Sequence, residues 1–186
     1  MGPMVGVDYS PKSIELARHL VSHASSSSGT EDIRFEVWDI LASLEASRGS
    51  MPDWFPTENG GFDIVLDKGT FDAVSLSAEE IGSEGAAGDQ GRMKSSSRRV
   101  QRRICERYPS AAIQLVRPGG FLVVTSCNWT EDELVRWFTT ATTSAPKEAS
   151  ELVIWDRIAY TKFRFGGQEG QGVCTVCFQR REAGRG

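Results

Sequence analysis

The chain has 186 residues, 39% of them hydrophobic and 25% charged, with a formal net charge of −4. This composition is typical of a soluble globular protein, and the negative charge argues against a general binder of nucleic-acid phosphates. It has no apolar run of about 18 residues that would span a membrane and no secretory signal at its start, so we expect a cytoplasmic protein that binds neither nucleic acid nor membrane.

The first part of the chain predicts two strands separated by a helix. Residues Met4–Val7 form a short apolar run that is typical of a strand. Ser10 is suited to cap the helix that follows and Pro11 to occupy its first position. Alternating apolar residues predict a second strand over Ile33–Asp39. Each of these strands is closed by an aspartate.

The middle of the chain predicts two more strands and two helices. The strands cover Phe62–Leu66 and Phe121–Cys127, and the second is continuously apolar, as in a parallel sheet covered on both faces. A helical pattern over residues 98–116 has an expected break at Pro109. The run Thr130–Glu133 matches a capping box, which predicts a helix after it. Strands alternating with helices favour an α/β fold with a mainly parallel sheet.

The end of the chain predicts a C-terminal antiparallel hairpin. Its two strands are expected over residues 158–165 and 172–179, joined by a glycine-rich turn. Residues 82–97 are rich in Gly and Ser and poor in apolar side chains, which is typical of a flexible insertion. We interpret residues 1–186 as a single domain that carries this insertion.

Cys174 and Cys177 form a Cys-x-x-Cys pair, which is compatible with half a zinc site or with a redox motif. No second pair of ligands accompanies them, and both histidines lie far away along the chain. A redox motif opens a helix, whereas this pair lies in a segment typical of a strand. We expect structural thiols and no metal site.

Polar side chains follow four of the predicted strands. In open parallel sheets, ligands bind outside the carboxyl ends of the strands. One aspartate after a strand is usually a turn former or helix cap, but four polar strand ends indicate a ligand-binding rim. The residues at these ends are Asp8, Asp39, Asp67 with Lys68, and Cys127 with Asn128.

The first two of these acids have the spacing of an adenosine site. An acid at the end of one strand can accept both ribose hydroxyls, and an acid at the end of the next can bind the adenine amino group. One helix and one strand separate Asp8 from Asp39. We therefore expect the two acids on neighbouring strands.

Four segments are similar to a known family: GVDYSPKSIELA, FDIVLDKGTFDAVSLS, RPGGFLVVTSCNWTEDEL and KFRFGG. They resemble the seven-stranded S-adenosylmethionine-dependent methyltransferases, and most closely the protein-lysine methyltransferases that act on translation elongation factor 1-alpha. The parts DKGTFDA and TSCNWT are the most specific. The resemblance implies a Rossmann-like fold, S-adenosylmethionine as the cofactor, and a protein substrate, translation elongation factor 1-alpha.

The resemblance also assigns roles to residues of this chain. The implied cofactor-binding residues are Asp8 at the ribose, Tyr9 and Ile40 beside the adenine ring, Asp39 at the adenine amino group, and Asp67 with Lys68 at the methionine end. The implied catalytic residues are Asp67, Asn128 and Trp129. A carboxylate can orient a lysine amine, and Phe71 with Trp129 can form an aromatic slot for the lysine stem and the sulfonium. The alternative is that Asp67 and Lys68 form a surface turn and Trp129 fills the core.

The sequence lacks one feature of the family. The family's first strand and helix, and the D-x-G-x-G turn between them that cradles the methionine part of the cofactor, have no counterpart before Val5. In the family's sheet that strand lies between the strands ending at Asp8 and Asp67, so its absence predicts two unpaired edges. The chain is then either an incomplete gene model of an active enzyme or a shortened, non-catalytic binding protein unable to hold the cofactor. A nicotinamide dehydrogenase is disfavoured because it also needs a glycine-rich turn.

Overall fold

The computed structural model describes residues 4–24, 33–42, 51–77, 104–143, 150–161, 163–170 and 172–182. The chain divides into two units, Met1–Gly61 and Phe62–Gly186. The insertion expected at residues 82–97 lies outside the described residues. Within the described ranges, no helix is long and apolar enough to cross a membrane.

The first unit is a strand–helix–strand arrangement, as predicted. Its elements are β1 (Met4–Asp8), α1 (Pro11–Ala24), β2 (Ile33–Val37) and a 3-10 helix (Thr57–Asn59). The two strands pair in parallel, with Asp8 opposite Val37. Ser10 caps α1, because its hydroxyl oxygen accepts the backbone N–H of Ser13 at 3.4 Å. Ile14 is the buried residue of α1, with 2% of its surface exposed.

The second unit contains a four-stranded mixed sheet and three α-helices within the described residues. Its elements are β3 (Phe62–Lys68), α2 (Thr70–Leu76), a 3-10 helix (Ile104–Arg107), α3 (Tyr108–Leu115), β4 (Val116–Ser126), α4 (Glu131–Thr143), β5 (Glu151–Ile158), β6 (Phe163–Phe165), β7 (Gln168–Gly170) and β8 (Cys174–Arg181). The sheet order is β3-β4-β8-β5. β3 and β4 are parallel, whereas β8 is antiparallel to both β4 and β5. The predicted α/β class is confirmed.

The antiparallel part of the sheet is larger than the predicted hairpin. β5 ends at Ile158, where a strand was expected to begin, and β8 lies between β4 and β5. Val176 and Phe178 of β8 are fully buried. Placing this apolar strand between two neighbours removes more of its surface from water, which stabilises the fold. The expected glycine-rich turn joins only β6 and β7. It does so through residues 166–167, two glycines with positive φ that suit a tight two-residue turn.

The Arg-Pro-Gly-Gly run at residues 117–120 lies inside β4 as a bulge. Phe62 pairs with Val116 and Ile64 pairs with Phe121, so residues 117–120 are looped out of the ladder. A side chain at Gly120 is not possible without movement, because its Cβ would lie 2.9 Å from the carbonyl oxygen of Asp63. Glycine is required there by the close approach of two backbones.

The helix after β4 starts with the predicted capping box. The backbone N–H and the hydroxyl of Thr130 both donate to Oε2 of Glu133, at 2.9 and 2.7 Å. In return, the Glu133 backbone N–H donates to Thr130 Oγ1 at 3.4 Å. The hydrogen bonds from Thr130 hold the pKa of the Glu133 carboxyl below its ordinary value. They fix the start of α4 directly beyond the end of β4.

Aromatic rings from the helices cover one face of the larger sheet. Leu122 and Val124 of β4 are fully buried on this face, and the ring of Phe138 on α4 stacks on Phe178 of β8 at 5.3 Å. The opposite face of β3 carries apolar side chains in water, since Leu66 is 76% exposed. Among the described residues, β1 pairs only with β2 and β3 only with β4.

Candidate functional site

The carboxyl ends of β3 and β4 form one edge of the sheet. The strands are parallel, and Lys68 is the partner of Thr125 in the register. The backbone N–H of Gly69 donates to the Thr125 carbonyl at 3.4 Å, which extends the pairing past the end of β3. Gly69 has φ of 85°, a conformation that glycine adopts without strain, and it turns the chain from β3 into α2.

Asp67 is buried at this edge, with 4% of its surface exposed. Its Oδ1 accepts the backbone N–H of Thr70 at 2.9 Å, and its Oδ2 accepts the backbone N–H of Phe71 at 3.3 Å. The hydroxyl of Tyr108 donates to Oδ2 at 2.8 Å. Burial raises the pKa of the Asp67 carboxyl above its ordinary value, while the hydrogen bonds, Tyr108 first among them, act in the opposite direction. The carboxylate therefore anchors the first turn of α2.

Asp72, one turn further along α2, holds the segment that follows β4. Its carboxylate accepts the hydroxyl of Ser126 and, at 2.9 Å, the backbone N–H of Cys127. The Ser126 oxygen in turn accepts the backbone N–H groups of Asn128 and Trp129, at 3.1 and 3.0 Å. One buried acid on α2 thus fixes the Ser126–Trp129 segment through two direct bonds and two relayed ones.

The ring of Trp129 packs toward the core. Its Nε1 donates to Ser75 Oγ at 2.9 Å, and its ring lies 5.9 Å from Phe71 and 5.7 Å from Trp137. Phe71 has no exposed surface. The predicted slot with Phe71 as a wall is therefore not present, because that ring is enclosed by other rings. Trp129 is half-buried, and its catalytic role stays a prediction.

Lys68 and Asn128 are the predicted site residues whose side chains are exposed at this edge. The partners of Asp67 are Thr70, Phe71 and Tyr108, and none of the ion pairs between described residues includes Lys68. In the described part of the chain, Lys68 therefore forms no ion pair with its neighbour Asp67. An exposed amide and an exposed amine remain available to a ligand at the edge.

Asp8 and Asp39 lie at the ends of neighbouring parallel strands, as predicted. Asp8 closes β1, and its Oδ1 accepts the backbone N–H of Ser10 at 2.7 Å. Asp39 follows β2, and its Oδ1 accepts the backbone N–H groups of Leu41 and Ala42 at 2.8 and 3.1 Å, so it caps a helical turn. Within the described residues, Oδ2 of each acid has no hydrogen-bond partner.

The second carboxylate oxygens of Asp8 and Asp39 fit the adenosine part of a nucleoside cofactor. Each acid uses one oxygen to shape the local backbone and keeps the other as an acceptor, the chemistry needed for ribose hydroxyls and for an adenine amino group. Beside them, Tyr9 is 73% exposed and Ile40 is half-buried, so both can meet a flat ring. The roles of Asp8, Tyr9, Asp39 and Ile40 stay predictions.

The two cysteines of the Cys-x-x-Cys pair lie in β8, which confirms the predicted strand. Cys174 is buried and its thiol donates to the Trp129 carbonyl at 3.1 Å, whereas Cys177 is half-buried. Burial raises the pKa of both thiols. In the part of the chain that the structure describes, no group of three His, Cys, Asp or Glu side chains is arranged to hold a metal ion.

A family model described as a methyltransferase domain matches residues 1–167 of the chain. The chain belongs to this family. The family expected from the sequence is confirmed, and with it S-adenosylmethionine as the cofactor that the family uses. The matched range includes the acids after β1 and β2, and it also includes β3 and β4.

Two relatives resemble this methyltransferase domain over nearly its whole length. Protein-lysine N-methyltransferase EFM4 of Saccharomyces cerevisiae is 32% identical over 181 residues, which cover 97% of this chain and 61% of that protein. EEF1A lysine methyltransferase 2 of Homo sapiens is 28% identical over 177 residues, which cover 95% of this chain and 56% of that protein. The chain thus spans about six-tenths of the length of the curated relatives it matches.

Among solved structures, the N-methyltransferase NodS from Bradyrhizobium japonicum WM9, in complex with S-adenosyl-l-homocysteine, aligns with a TM-score of 0.49 and 14% identity. The alignment covers 97% of this chain and 67% of that one.

Sequence reasoning missed three residues that organise the edge of the methyltransferase domain, namely Asp72, Tyr108 and Ser126. Asp72 lies in the DKGTFDA motif, five positions after Asp67, and a second acid inside an apolar helix was a usable signal. Tyr108 and Ser126 gave no signal, since their partners lie 41 and 54 positions away in the sequence.

Proposed function

We propose that this methyltransferase domain transfers a methyl group from S-adenosylmethionine to a lysine side chain of a protein, and that the substrate is translation elongation factor 1-alpha. The observation that carries the proposal is the 32% identity to a protein-lysine methyltransferase over 97% of the chain. The organised edge at β3 and β4, which contains the family's two most specific motifs, supports it. A translation factor as substrate also favours a cytoplasmic location.

The reaction requires little chemistry from the protein. The lone pair of the lysine nitrogen attacks the methyl carbon, a C–N bond forms and the S–C bond breaks. The bonding electrons return to sulfur, which leaves neutral S-adenosylhomocysteine, and the amine loses a proton to water. Because free lysine has a pKa of about 10.4, the protein must favour the neutral amine by desolvation and by hydrogen bonding. Positioning of the two reactants supplies most of the acceleration.

Different residues of the chain have different roles in this scheme. We assign the ribose to Asp8 and the adenine amino group to Asp39, with Tyr9 and Ile40 against the ring. Asp67 and Lys68 lie at the methionine end, where Asp67 fixes the backbone turn and Asn128 offers an exposed amide to the amine. Trp129 supports this amide by holding the segment against α2.

Cofactor binding tests the first half of the proposal. We expect the 186-residue chain to bind S-adenosylmethionine saturably in a calorimetric titration, and Asp8→Asn to weaken binding about tenfold or more. Asparagine can keep the acceptor for the Ser10 N–H but replaces the second carboxylate oxygen with a donor. Asp53→Asn is the matched control, because Asp53 is an exposed acid that pairs with Arg34 and should leave binding unchanged.

The outcomes test cofactor binding and the ribose assignment separately. Absence of binding by the unchanged chain at millimolar cofactor would contradict the expected cofactor binding, and this result is compatible with either interpretation of the chain. Binding that Asp8→Asn and Asp53→Asn affect equally would contradict the ribose assignment. If binding holds, incubation with purified elongation factor 1-alpha and mass spectrometry should locate methylated lysine, and a lack of methylation would contradict the proposed substrate.

A further inference from the structure

Tyr108 is the first residue of α3 and is 3% exposed, yet it reaches across the fold to the end of β3. Its hydroxyl donates to Asp67 Oδ2 at 2.8 Å. It is the side-chain donor to this carboxylate among the described residues, since the other donors are backbone N–H groups of Thr70 and Phe71. The ring of Tyr108 packs 5.5 Å from Phe71, which fixes the direction of the hydroxyl.

A buried carboxylate needs such a donor. Removing an ionised acid from water is costly unless hydrogen bonds to it replace the lost hydration. The phenol keeps its proton for this purpose, because burial and the neighbouring Asp67 carboxylate raise the pKa of Tyr108 well above its ordinary value. The titratable groups that interact with Asp67 are Tyr108 and Asp72, and the Asp72 charge disfavours ionisation of Asp67. Among the hydrogen bonds to Asp67, the one from Tyr108 opposes the effect of burial most strongly.

The ionised form of Asp67 shapes the edge of the sheet. An ionised carboxylate accepts hydrogen bonds without donating any, which suits the three donors that Thr70, Phe71 and Tyr108 direct at Asp67. These bonds close the turn that contains Lys68 and Gly69, which lies next to Thr125. If Asp67 gained a proton, the hydrogen bonds that it accepts would lose their charge assistance and hold the turn less strongly.

We propose that Tyr108 is a positioning residue for methyl transfer, which acts through the Asp67 carboxylate on the Lys68–Gly69 turn. The inference rests on the proposed function, because the turn lies where that function places the methyl donor and the lysine amine. Tyr108 touches neither reactant in this scheme. Its hydroxyl, 41 positions away in sequence from Asp67, hydrogen-bonds the carboxylate and so supports the geometry of the turn.

The test uses Tyr108→Phe in the full chain, with two readouts. In a carbon-13 NMR titration of the aspartate carboxyls, the variant should raise the pKa of Asp67 further, because the phenylalanine ring donates no hydrogen bond. In methylation assays against pH, kcat should fall about tenfold near neutral pH with little change in KM. The acid limb of the profile should move to higher pH, since activity needs the ionised form and that form is lost at a higher pH in the variant.

Tyr160→Phe is the matched control. This variant also removes a phenol hydroxyl. The hydroxyl of Tyr160 bonds to Thr175 Oγ1 at 2.8 Å and does not contact Asp67. Both readouts should stay at wild-type values. In case Tyr108→Phe does not fold, 3-fluorotyrosine at position 108 is a stronger donor of nearly the same size, and it should shift the pKa of Asp67 downward.

The results separate failure of this inference from failure of the proposed function. If the pKa of Asp67 is unchanged both in Tyr108→Phe and with 3-fluorotyrosine at position 108, Tyr108 does not influence Asp67 and the inference is overturned. If the pKa of Asp67 shifts in Tyr108→Phe while kcat and the pH profile stay at wild-type values, the positioning role is overturned. Absence of methylation by the wild-type chain contradicts the proposed function itself, and the NMR titration then still decides whether Tyr108 controls Asp67.

Discussion

Replacing Phe71 with alanine should lower the free energy of unfolding of the second unit by about 3–5 kcal/mol. Phe71 is fully buried, and its ring centroid lies between 5.1 and 5.9 Å from the rings of Tyr108, Trp129, Trp137 and Phe138. Truncation leaves a cavity among rigid rings that cannot collapse into it. Because domains of this size are stable by only about 5–15 kcal/mol, the loss is a large part of the total.

Urea denaturation followed by tryptophan fluorescence measures this loss. Leu76→Ala is the matched control, because Leu76 lies on the same helix but is 73% exposed, and it should cost less than about 1 kcal/mol. If Phe71→Ala is too unstable to purify, Phe71→Leu keeps most of the volume and should cost about 1–2 kcal/mol. Equal costs for Phe71→Ala and Leu76→Ala would show that the ring cluster is not the core of the unit.

Removing the Asp72 carboxylate should destabilise the second unit by about 2–4 kcal/mol, because Asp72→Ala leaves the Ser126 hydroxyl and the Cys127 N–H without their acceptor. Asp72 is 9% exposed, so water replaces the lost bonds poorly. The segment over Ser126–Trp129 should also lose order, since Ser126 relays the contact to the next two backbone N–H groups.

An exposed acid provides the contrast. The Asp63 carboxylate lies 2.5 Å from Arg117, a shorter contact than the Asp72–Cys127 bond, but its side chain is 79% exposed. Asp63→Ala should therefore cost no more than about 1 kcal/mol, because water and salt screen a surface ion pair. Denaturation of both variants, with amide hydrogen exchange at positions 127–129, measures the effect. Unchanged exchange in Asp72→Ala would show that Asp72 does not hold this segment.

These contacts change the interpretation of Asp67. From the sequence, this acid was expected at the reaction centre, in contact with the lysine amine. In the structure it is 4% exposed and three donors occupy its oxygens. A carboxylate enclosed in this way has little surface left for a direct contact with substrate. The geometry instead favours a carboxylate that shapes the turn, with Asn128 as the exposed polar group at the edge.

The sequence by itself determined the local structure and the family. Pro11 starts α1, Thr130 and Glu133 start α4, and Asp39 caps a helical turn, because each of these features depends on atoms within four residues. The acids after β1 and β2 were placed on neighbouring strands by spacing alone. The family motifs required no structure at all.

Only the tertiary structure decided which distant groups meet. Tyr108 bonds Asp67 across 41 positions and Asp72 bonds Ser126 across 54. β8 lies between β4 and β5, although its sequence predicted one arm of a hairpin. Such contacts follow from the order in which buried strands and helices pack, and no local pattern encodes that order, because the free energy comes from burying whole faces together.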